Sequence, residues 1–360
     1  MKKIGIMTMH RIINYGSFMQ AYGLKCMVEK LGYSVQFVDY EYENPIINND
    51  KKNKKNILKK IYDNKNILNY VKRKIMTKKF EYNYKNIYLK ELGVTDKYNI
   101  RPLIDELIIG SDEVFNCLQG YPVGFSRELF GYHYENIDVI SYAACFGFTT
   151  LDLLEKYNIT NEISSYLKKF KSLSVRDNNS FDIVTKLTNL PVKVNLDPVL
   201  VSDFDDMLID NVKIKNYIIV YAYPGRISKE EAKTIKQFTK KHHKKIISIG
   251  FCQQFADKNL VVSPFELFAY FKHADYIITD TFHGAIFSIK SNANFCALIR
   301  DSNSNKLTDL LNRVKLNNRI ITSLTDIENY YYEDIDYSET NKIIKTEKRK
   351  SINYLKDNLL

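Results

Sequence analysis

The sequence has few of the features that mark disulfide-rich, zinc-binding or membrane-spanning proteins. Its 360 residues include five cysteines, and no two of them form a CxxC pair, so we expect neither a disulfide framework nor a zinc site. The longest apolar runs have the length of a strand and are too short for a transmembrane helix. The apolar run after Lys2 and Lys3 is also too short for a signal peptide. We therefore expect a cytoplasmic protein.

Short motifs for several common catalytic sites are also missing. The sequence contains no GxSxG, no HExxH and no GxxxxGK[ST], and the loop after the first predicted strand lacks GxGxxG. We therefore do not expect a nucleophilic serine triad, a zinc protease site, a P-loop or a dinucleotide site. We also expect no metal ion in the site.

Positive charge is concentrated in one segment of the chain. The net charge is +11, and Lys51–Lys90 contains 14 Lys or Arg but only two acids, so the rest of the chain is almost neutral. This distribution argues against a nucleic-acid partner. Apolar residues recur there at helical intervals, which predicts a Lys-rich helical insertion at about 43–100 made of two basic amphipathic helices. Such helices are either solvated or contact an acidic partner, which is a glycan or an anionic lipid. Contact with lipid would be a peripheral contact of 51–90 with the inner face of the membrane.

Aliphatic strands alternate with amphipathic helices along most of the sequence. Lys3–Met9 and Ser34–Asp39 are predicted to be buried strands on either side of a helix over Phe18–Leu31, which ends at Gly32. A strand–helix–strand unit of this kind predicts parallel pairing with a right-handed crossover. A second series with the same pattern starts at Tyr217.

These series predict an α/β fold with two Rossmann-like parallel-sheet domains that face each other across a cleft. We place an N-terminal α/β domain at 1–200, including the insertion, and a C-terminal α/β domain at 211–330. A helical tail follows at 331–360. The Asp197-Pro198 pair and the acid-rich stretch Ser202–Asp210 are interpreted as the linker between the domains.

The most informative stretch is Tyr276–Ile289, where a continuous aliphatic run is followed by a polar turn and an apolar helix. In an open α/β sheet, the ligand site lies where strands end and helices begin. The free N–H groups and the dipole of a helix N-terminus favour phosphate or carboxylate there. Asp280, Thr281, His283 and Gly284 fall in this turn, and the glycine permits close approach of a ligand to the backbone. We predict an anionic-substrate site centred on His283; the alternative is a helix cap with a partly buried histidine.

Three predicted strands of the N-terminal domain also end in polar residues. Because the carboxyl ends of parallel strands share one edge of a sheet, these residues can converge opposite His283. They are His10, Asn14 and Ser17, then Asp112 and Asn116, and finally Arg176. The alternative for Arg176 is an ion pair between the domains, and the alternative for His10 is a cap on its own turn. Arginine, histidine and a helix N-terminus together suit a phosphorylated or carboxylated substrate.

Six short blocks follow one another in order between about residues 3 and 299. The first comprises the opening strand, His10 and Asn14-Tyr15-Gly16-Ser17. The others are Gly110-Ser111-Asp112-Glu113-Val114-Phe115-Asn116, Tyr142-Ala143-Ala144-Cys145-Phe146-Gly147, Ser174-Val175-Arg176-Asp177, Leu196-Asp197-Pro198 and Asp280-Thr281-Phe282-His283-Gly284. Together these blocks resemble the polysaccharide pyruvyl transferase family.

The resemblance implies a GT-B-like fold and a bacterial enzyme of polysaccharide biosynthesis. It implies transfer of pyruvate from phosphoenolpyruvate to a sugar of a cell-surface polysaccharide, such as an exopolysaccharide, or to its lipid-linked precursor. The product is a ketal, and the reaction requires no cofactor. Two other functions fit the scaffold, namely a nucleotide-sugar-dependent GT-B-like glycosyltransferase and a non-catalytic glycan-binding protein of the same pathway.

The resemblance also implies roles for individual residues. The position of His283 matches the catalytic or phosphate-binding histidine of the family, and Arg176 resembles an arginine that holds the carboxylate or phosphate of the donor. Asp112 or Asp280 orients the histidine or accepts a hydroxyl proton. Thr281 is a departure, because better-studied members often carry arginine at that position. We assign catalysis to His283, Asp112 and Asp280, and substrate binding to Arg176, His10, Asn14, Ser17, Asn116, Thr281 and Gly284.

Overall fold

Two parallel sheets organise the chain in the computed structural model, which describes residues 2–47, 67–120, 123–300, 304–325 and 327–359. The first sheet has six strands in the order β2-β1-β3-β4-β5-β6. They are β1 (Lys3–Met7), β2 (Ser34–Val38), β3 (Glu106–Asp112), β4 (Asp138–Ala144), β5 (Leu173–Val175) and β6 (Val192–Val194). In the β1 register, Ile6 lies between Phe37 and Ile108, with parallel pairing on both sides.

The second sheet also has six parallel strands, in the order β12-β11-β10-β7-β8-β9. They are β7 (Tyr217–Tyr221), β8 (Lys245–Ile249), β9 (Lys258–Leu260), β10 (Tyr276–Thr279), β11 (Phe295–Leu298) and β12 (Ile320–Ile321). β10 pairs with β7 on one side and β11 on the other, so its carboxyl end lies in the middle of the sheet edge. The two sheets confirm the predicted fold class.

Helices cover both faces of the sheets, since strands such as β7 and β10 are buried throughout. Those of the first half are α1 (Tyr15–Lys30), α2 (Ile67–Asn83), α3 (Leu89–Glu91), α4 (Leu151–Lys156), α5 (Thr160–Leu167), α6 (Asn178–Leu187) and α7 (Pro198–Val201). Those of the second half are α8 (Lys229–Lys241), α9 (Pro264–Lys272), α10 (Phe282–Lys290), α11 (Ser304–Arg313), α12 (Ile327–Tyr332) and α13 (Ser338–Asn358). Within the described ranges, no helix has both the length and the apolar character that crossing a bilayer requires.

The insertion contributes one long helix to the described part of the chain. α2 continues into a π-helical turn at Tyr84–Tyr88 and then into α3. Its inner face is buried through Met76 and Phe80, and the Phe80 ring lies 4.8 Å from that of Tyr15 on α1. The prediction of a basic helix is confirmed for this portion. The part of the predicted helical pair at 48–66 lies outside the described residues.

The Asp197-Pro198 pair, where the linker was expected to start, opens a short helix. Pro198 opens α7, and the Asp197 side chain caps it by accepting the Val199 N–H. Val199 and Val201 are buried because α7 packs between the two halves, against α1, α10 and α13. An acid followed by proline opens a helix here, as expected for proline at the first helical position.

The C-terminal helix returns to the first half of the chain. The Tyr354 hydroxyl on α13 donates to the Ser141 carbonyl on β4 at 2.8 Å. Asn195 Nδ2 donates to the Ser351 hydroxyl at 3.2 Å. The predicted helical tail therefore packs against the N-terminal sheet. The exact division into domains at 200 and 211 stays a prediction.

Candidate active site

A polar cavity lies where the carboxyl ends of the two sheets face each other. It is lined from the first half by Asn14, Asp112, Glu113 and Arg176, and from the second half by Tyr223, Arg226, Asp280, Thr281, Phe282, His283 and Lys306. The cavity thus contains six of the ten residues that the sequence analysis assigned to the site. The cavity is bordered by α1 on one side and by the turn between β10 and α10 on the other.

Asp197 connects the two residues that the sequence singles out most strongly. Its Oδ2 accepts a hydrogen bond from Arg176 Nη1 at 2.9 Å and lies 3.5 Å from His283 Nε2. Its side chain is fully buried. Burial alone would raise the pKa of Asp197, but the adjacent His283 ring and Arg176 guanidinium hold it below its ordinary value. The Asp197 carboxylate therefore holds His283 of the second half and Arg176 of the first half close together.

Arg176 is a buried cation in the wall of the cavity. Its Nη2 lies 3.6 Å from Asp112 Oδ1, and its guanidinium carbon lies 4.3 Å from the centre of the Phe282 ring. Its Nε has no hydrogen-bond partner among the described residues. A buried donor without a partner is costly.

His283 is held against the first turn of α1. A Cβ placed on Gly16 would lie 2.3 Å from His283 Nδ1, closer than any real contact. Only glycine therefore fits at this point of contact between the two halves. His283 itself is 13% exposed, which leaves it accessible from the cavity.

Thr281 and Gly284 fix the shape of the turn between β10 and α10, and of the two only Thr281 also lines the cavity. Thr281 caps α10 by accepting the Gly284 N–H at 2.9 Å. A Cβ on Gly284 would lie 2.1 Å from Thr279 Oγ1. The sequence analysis assigned this glycine to ligand approach, but the close approach is between α10 and β10.

Asp280 is a fully buried carboxyl group beside the cavity. Its Oδ2 lies 4.0 Å from Arg226 Nη1 and 3.9 Å from Arg300 Nε. Burial outweighs the attraction of these two arginines and raises the pKa of Asp280 to about 6. Such a carboxyl group exchanges protons near neutral pH, as acid and base catalysis requires.

A second charged pair crosses the cleft. Lys306 Nζ on α11 lies 2.6 Å from Glu113 Oε1, in the loop after β3. Burial opposes both charges, yet Lys306 lowers the pKa of Glu113 to about 2, and Glu113 raises the pKa of Lys306 to about 12. Both groups therefore stay charged at neutral pH, and Lys306 adds a cation to the cavity wall.

Two of the expected residues support the cavity from behind. The Ser17 hydroxyl donates to Asp112 Oδ2 at 3.2 Å. Asn116 donates to Glu113 Oε2 and accepts from the Thr149 hydroxyl, both at 2.8 Å. Asn14, which does line the cavity, also caps α1 by accepting the Ser17 N–H.

His10 lies outside the cavity. Its Nδ1 is 3.1 Å from the Thr8 carbonyl oxygen, and its Nε2 is 3.1 Å from Asp39 Oδ1. Arg11 Nη2 donates to the other Asp39 oxygen at 2.8 Å. Both ring nitrogens thus have partners in the protein, and the structure places His10 in a buried network rather than beside a substrate.

Four residues of the site were missed from the sequence. Asp197 and Arg226 follow β6 and β7, so the strand-end argument that found Arg176 also applies to them. Glu113 stands beside Asp112 and was passed over. Lys306 carries no such signal, since it lies inside a helix. Among the described residues, no group of three or more His, Cys, Asp or Glu is placed to hold a metal ion.

The polysaccharide pyruvyl transferase family model matches residues 14–302 of the chain. The chain belongs to this family. This polysaccharide pyruvyl transferase family member is accordingly a transferase, and its cavity contains His283 and Arg176, both of which lie inside the matched region. A search among curated proteins returned no match.

Solved structures with the same architecture include UDP-GlcNAc 2-epimerases. The enzyme from Methanocaldococcus jannaschii is 12% identical, with a TM-score of 0.54 over 99% of this chain and 100% of that one. The S. aureus MnaA–UDP structure is 11% identical, with a TM-score of 0.51 over 100% of this chain and 97% of that one. At such identities, the similarity shows the fold alone. It agrees with the GT-B-like arrangement of this family member.

Proposed function

We propose that this transferase moves the pyruvate unit of phosphoenolpyruvate onto a sugar of a cell-surface polysaccharide or its precursor, forming a ketal. The observation that carries the proposal is the shared Asp197 carboxylate, which holds Arg176 and His283 at one cavity between the sheets. The donor has a carboxylate and a phosphate, and Arg176 lines the cavity. Buried arginine is well suited to either group.

The family often carries arginine at the position of Thr281, and other cations line the cavity of this chain. Lys306 and Arg226 line the same cavity, and both come from elements outside the His283 turn. Together with Arg176 they offer three positive groups to the donor. Each of the three also lies near a carboxylate, which holds the cation in position.

The residues present account for the proton transfers that the reaction needs. A proton from Asp280 adds to the methylene carbon, which makes C2 of the donor electrophilic. A sugar hydroxyl adds to C2 and its proton passes to His283, whose new charge is balanced by Asp197. The bond from C2 to the phosphate oxygen then breaks, and inorganic phosphate leaves with the proton that His283 had accepted. A second hydroxyl adds to C2 and passes its proton to the Asp280 carboxylate, which closes the ketal and restores both residues.

The test is phosphate release from phosphoenolpyruvate in the presence of a panel of lipid-linked and aryl glycosides. Arg176→Lys and His283→Gln should each lower acceptor-dependent release by at least about 10²-fold. Arg11→Lys is the control for the first, because Arg11 also pairs with a buried aspartate. His242→Gln is the control for the second, because His242 is 10% exposed and pairs with Glu328 through Nε2.

The same assay separates the other two functions. Nucleotide release from UDP-GlcNAc without turnover of phosphoenolpyruvate would favour a glycosyltransferase. Binding of a glycan without turnover of either donor would favour a non-catalytic protein. No calorimetric binding of phosphoenolpyruvate at millimolar concentration would refute the proposal.

We also propose a peripheral contact between α2 and an anionic membrane surface. Val71, Ile75 and Tyr82 are 44%, 62% and 64% exposed on the helix face opposite Met76 and Phe80. Lys74, Lys78 and Lys79 lie on or beside that exposed face. An apolar stripe flanked by lysines is typical of helices that lie in the lipid headgroup region.

Vesicle co-sedimentation tests this contact. Vesicles containing phosphatidylglycerol should bind the protein, and Val71→Ser/Ile75→Ser/Tyr82→Ser should reduce that binding about tenfold or more. The control is Leu103→Ser/Ile209→Ser/Tyr332→Ser, which removes three exposed apolar side chains outside α2. Equal binding by the two triple variants would contradict the contact.

A further inference from the structure

A groove beside the catalytic cavity carries positive charge along one wall. It is formed by Lys229, Lys233, Lys236 and Lys240 of α8 together with Arg73 of α2, and its volume is about 670 Å³. Among the described residues that line it there is no Asp or Glu. We call it the lysine groove. It is built from both halves of the chain, because α2 belongs to the first and α8 to the second.

The four lysines form one row along α8. Their spacing of four, three and four residues puts them on a single face, and the row extends about 16 Å at 1.5 Å per residue. No carboxylate of the described part of the chain lies within ion-pair distance of any of them, whereas the adjacent Lys241 pairs with Glu328. Like charges at these spacings repel each other and destabilise the helix. An anionic ligand would remove that repulsion.

The lysine groove and the active-site cavity share the loop that follows β7. Pro224 and Gly225 form part of its wall, and their neighbours Tyr223 and Arg226 line the cavity itself. A molecule that lies along the row and reaches this loop would therefore approach the cavity that contains Arg176 and His283. This is the position that the acceptor of a transferase must occupy.

We propose that the lysine groove binds an extended acidic saccharide that carries carboxylate or phosphate groups, and that this saccharide is the acceptor. The inference rests on the proposed function and names the substrate class for it. The groove is concave and carries the side-chain amides of Gln237 and Gln254, which suit sugar hydroxyls. Exposed apolar side chains, which a bilayer contact needs, lie instead on the outer face of α2.

The experiment measures binding of an oligogalacturonide by calorimetry, with a neutral malto-oligosaccharide of equal length as the reference ligand. The oligogalacturonide should bind, with affinity that falls as salt rises. Lys233→Gln/Lys236→Gln should weaken that binding about tenfold. The control is Lys342→Gln/Lys345→Gln on α13, which makes the same charge change at the same spacing on exposed lysines.

Measurements with phosphoenolpyruvate and vesicles distinguish the outcomes. The double variant in the lysine groove should bind phosphoenolpyruvate as the wild type does, and its KM for an acidic acceptor should rise while kcat is retained. If the wild type did not bind phosphoenolpyruvate, the proposed function would be wrong, but the lysine groove would still stand as a polyanion site. Equal binding of acidic and neutral oligosaccharides would overturn the inference. The inference would also be overturned if Lys233→Gln/Lys236→Gln no longer bound phosphatidylglycerol vesicles but still bound the oligogalacturonide.

Discussion

Replacement of Asp280 by asparagine should stabilise the protein, and increasingly so as the pH rises. The side chain is fully buried, and burial raises its pKa from the ordinary 3.8 to about 6. Each difference of one in pKa is worth about 1.4 kcal/mol, so the ionised carboxylate destabilises the folded protein by about 3 kcal/mol. Asparagine has nearly the same shape and no charge, so it avoids this penalty.

The sign follows from proton linkage. Because the pKa of Asp280 is higher in the folded protein, the folded state keeps a proton that the unfolded chain releases between about pH 4 and pH 6. Stability from this group is therefore present at low pH and lost as the pH rises through about 6. The advantage of Asp280→Asn should grow from about 0.5 kcal/mol at pH 4 to about 3 kcal/mol at pH 8.

Urea unfolding followed by far-ultraviolet circular dichroism from pH 4 to pH 8 measures this advantage. Asp203→Asn serves as a control of opposite sign. Burial opposes the ionised form of Asp203, but Lys348 and Lys30 hold its pKa below the ordinary value, so its loss should destabilise the protein near neutral pH. An advantage of Asp280→Asn that does not change with pH would refute the reasoning, since a charge-independent effect has no such slope. Its activity should fall by at least about 10²-fold if Asp280 is the proton donor.

Other predictions concern the contacts across the cleft. Gly16→Ala should displace His283 and lower acceptor-dependent phosphate release by about 10²-fold. Gly120→Ala is the control, because a Cβ there has open space and the rate of release should stay unchanged. Equal rates for the two variants would refute the proposed contact between Gly16 and His283. Lys306→Met should destabilise the protein by about 2 kcal/mol in urea unfolding, below the range for fully buried pairs because both partners are partly exposed. Adding Glu113→Gln to Lys306→Met should restore stability in urea unfolding but should not restore affinity for phosphoenolpyruvate in calorimetry. If the double variant regained its affinity as well, the pair would have a structural role only.

The position of the site could be predicted from the sequence because strand ends are local signals. A continuous aliphatic run followed by polar residues marks the carboxyl end of a parallel strand, and all such ends lie on one edge of a sheet. This reasoning found Arg176, Asp112 and His283, which the structure brings to one cavity. It also found the two sheets, since each βαβ unit has its own pattern.

The sequence does not show in which direction a side chain leaves a strand end. His10 follows β1 as Arg176 follows β5, yet His10 points to Asp39 and lies outside the cavity. Lys306 was missed for a different reason. Its contact with Glu113 exists only because the two halves of the chain face each other, and no local pattern encodes a contact over 193 residues.

Asp197, which the sequence analysis placed at the start of the linker, can be compared with a second aspartate of the protein. Asp197 binds Arg176 and His283, and Asp39 binds Arg11 and His10 in a similar way. Burial would raise the pKa of both aspartates, but their cationic partners hold each below its ordinary value. Each therefore contributes stability near neutral pH that is lost as the pH falls into the acid range.

Asp197→Asn and Asp39→Asn should consequently have the same effect on folding and different effects on function. Each should destabilise the protein by about 2–5 kcal/mol at pH 7, because a buried cation loses its partner, and by less near pH 3. Only Asp197→Asn should abolish binding of phosphoenolpyruvate in calorimetry, since only the first network lines the cavity. If both variants lost the donor equally, the loss would reflect general destabilisation. If neither did, the shared carboxylate would be a brace between the two halves, and the donor site would have to be sought around Lys306 and Arg226.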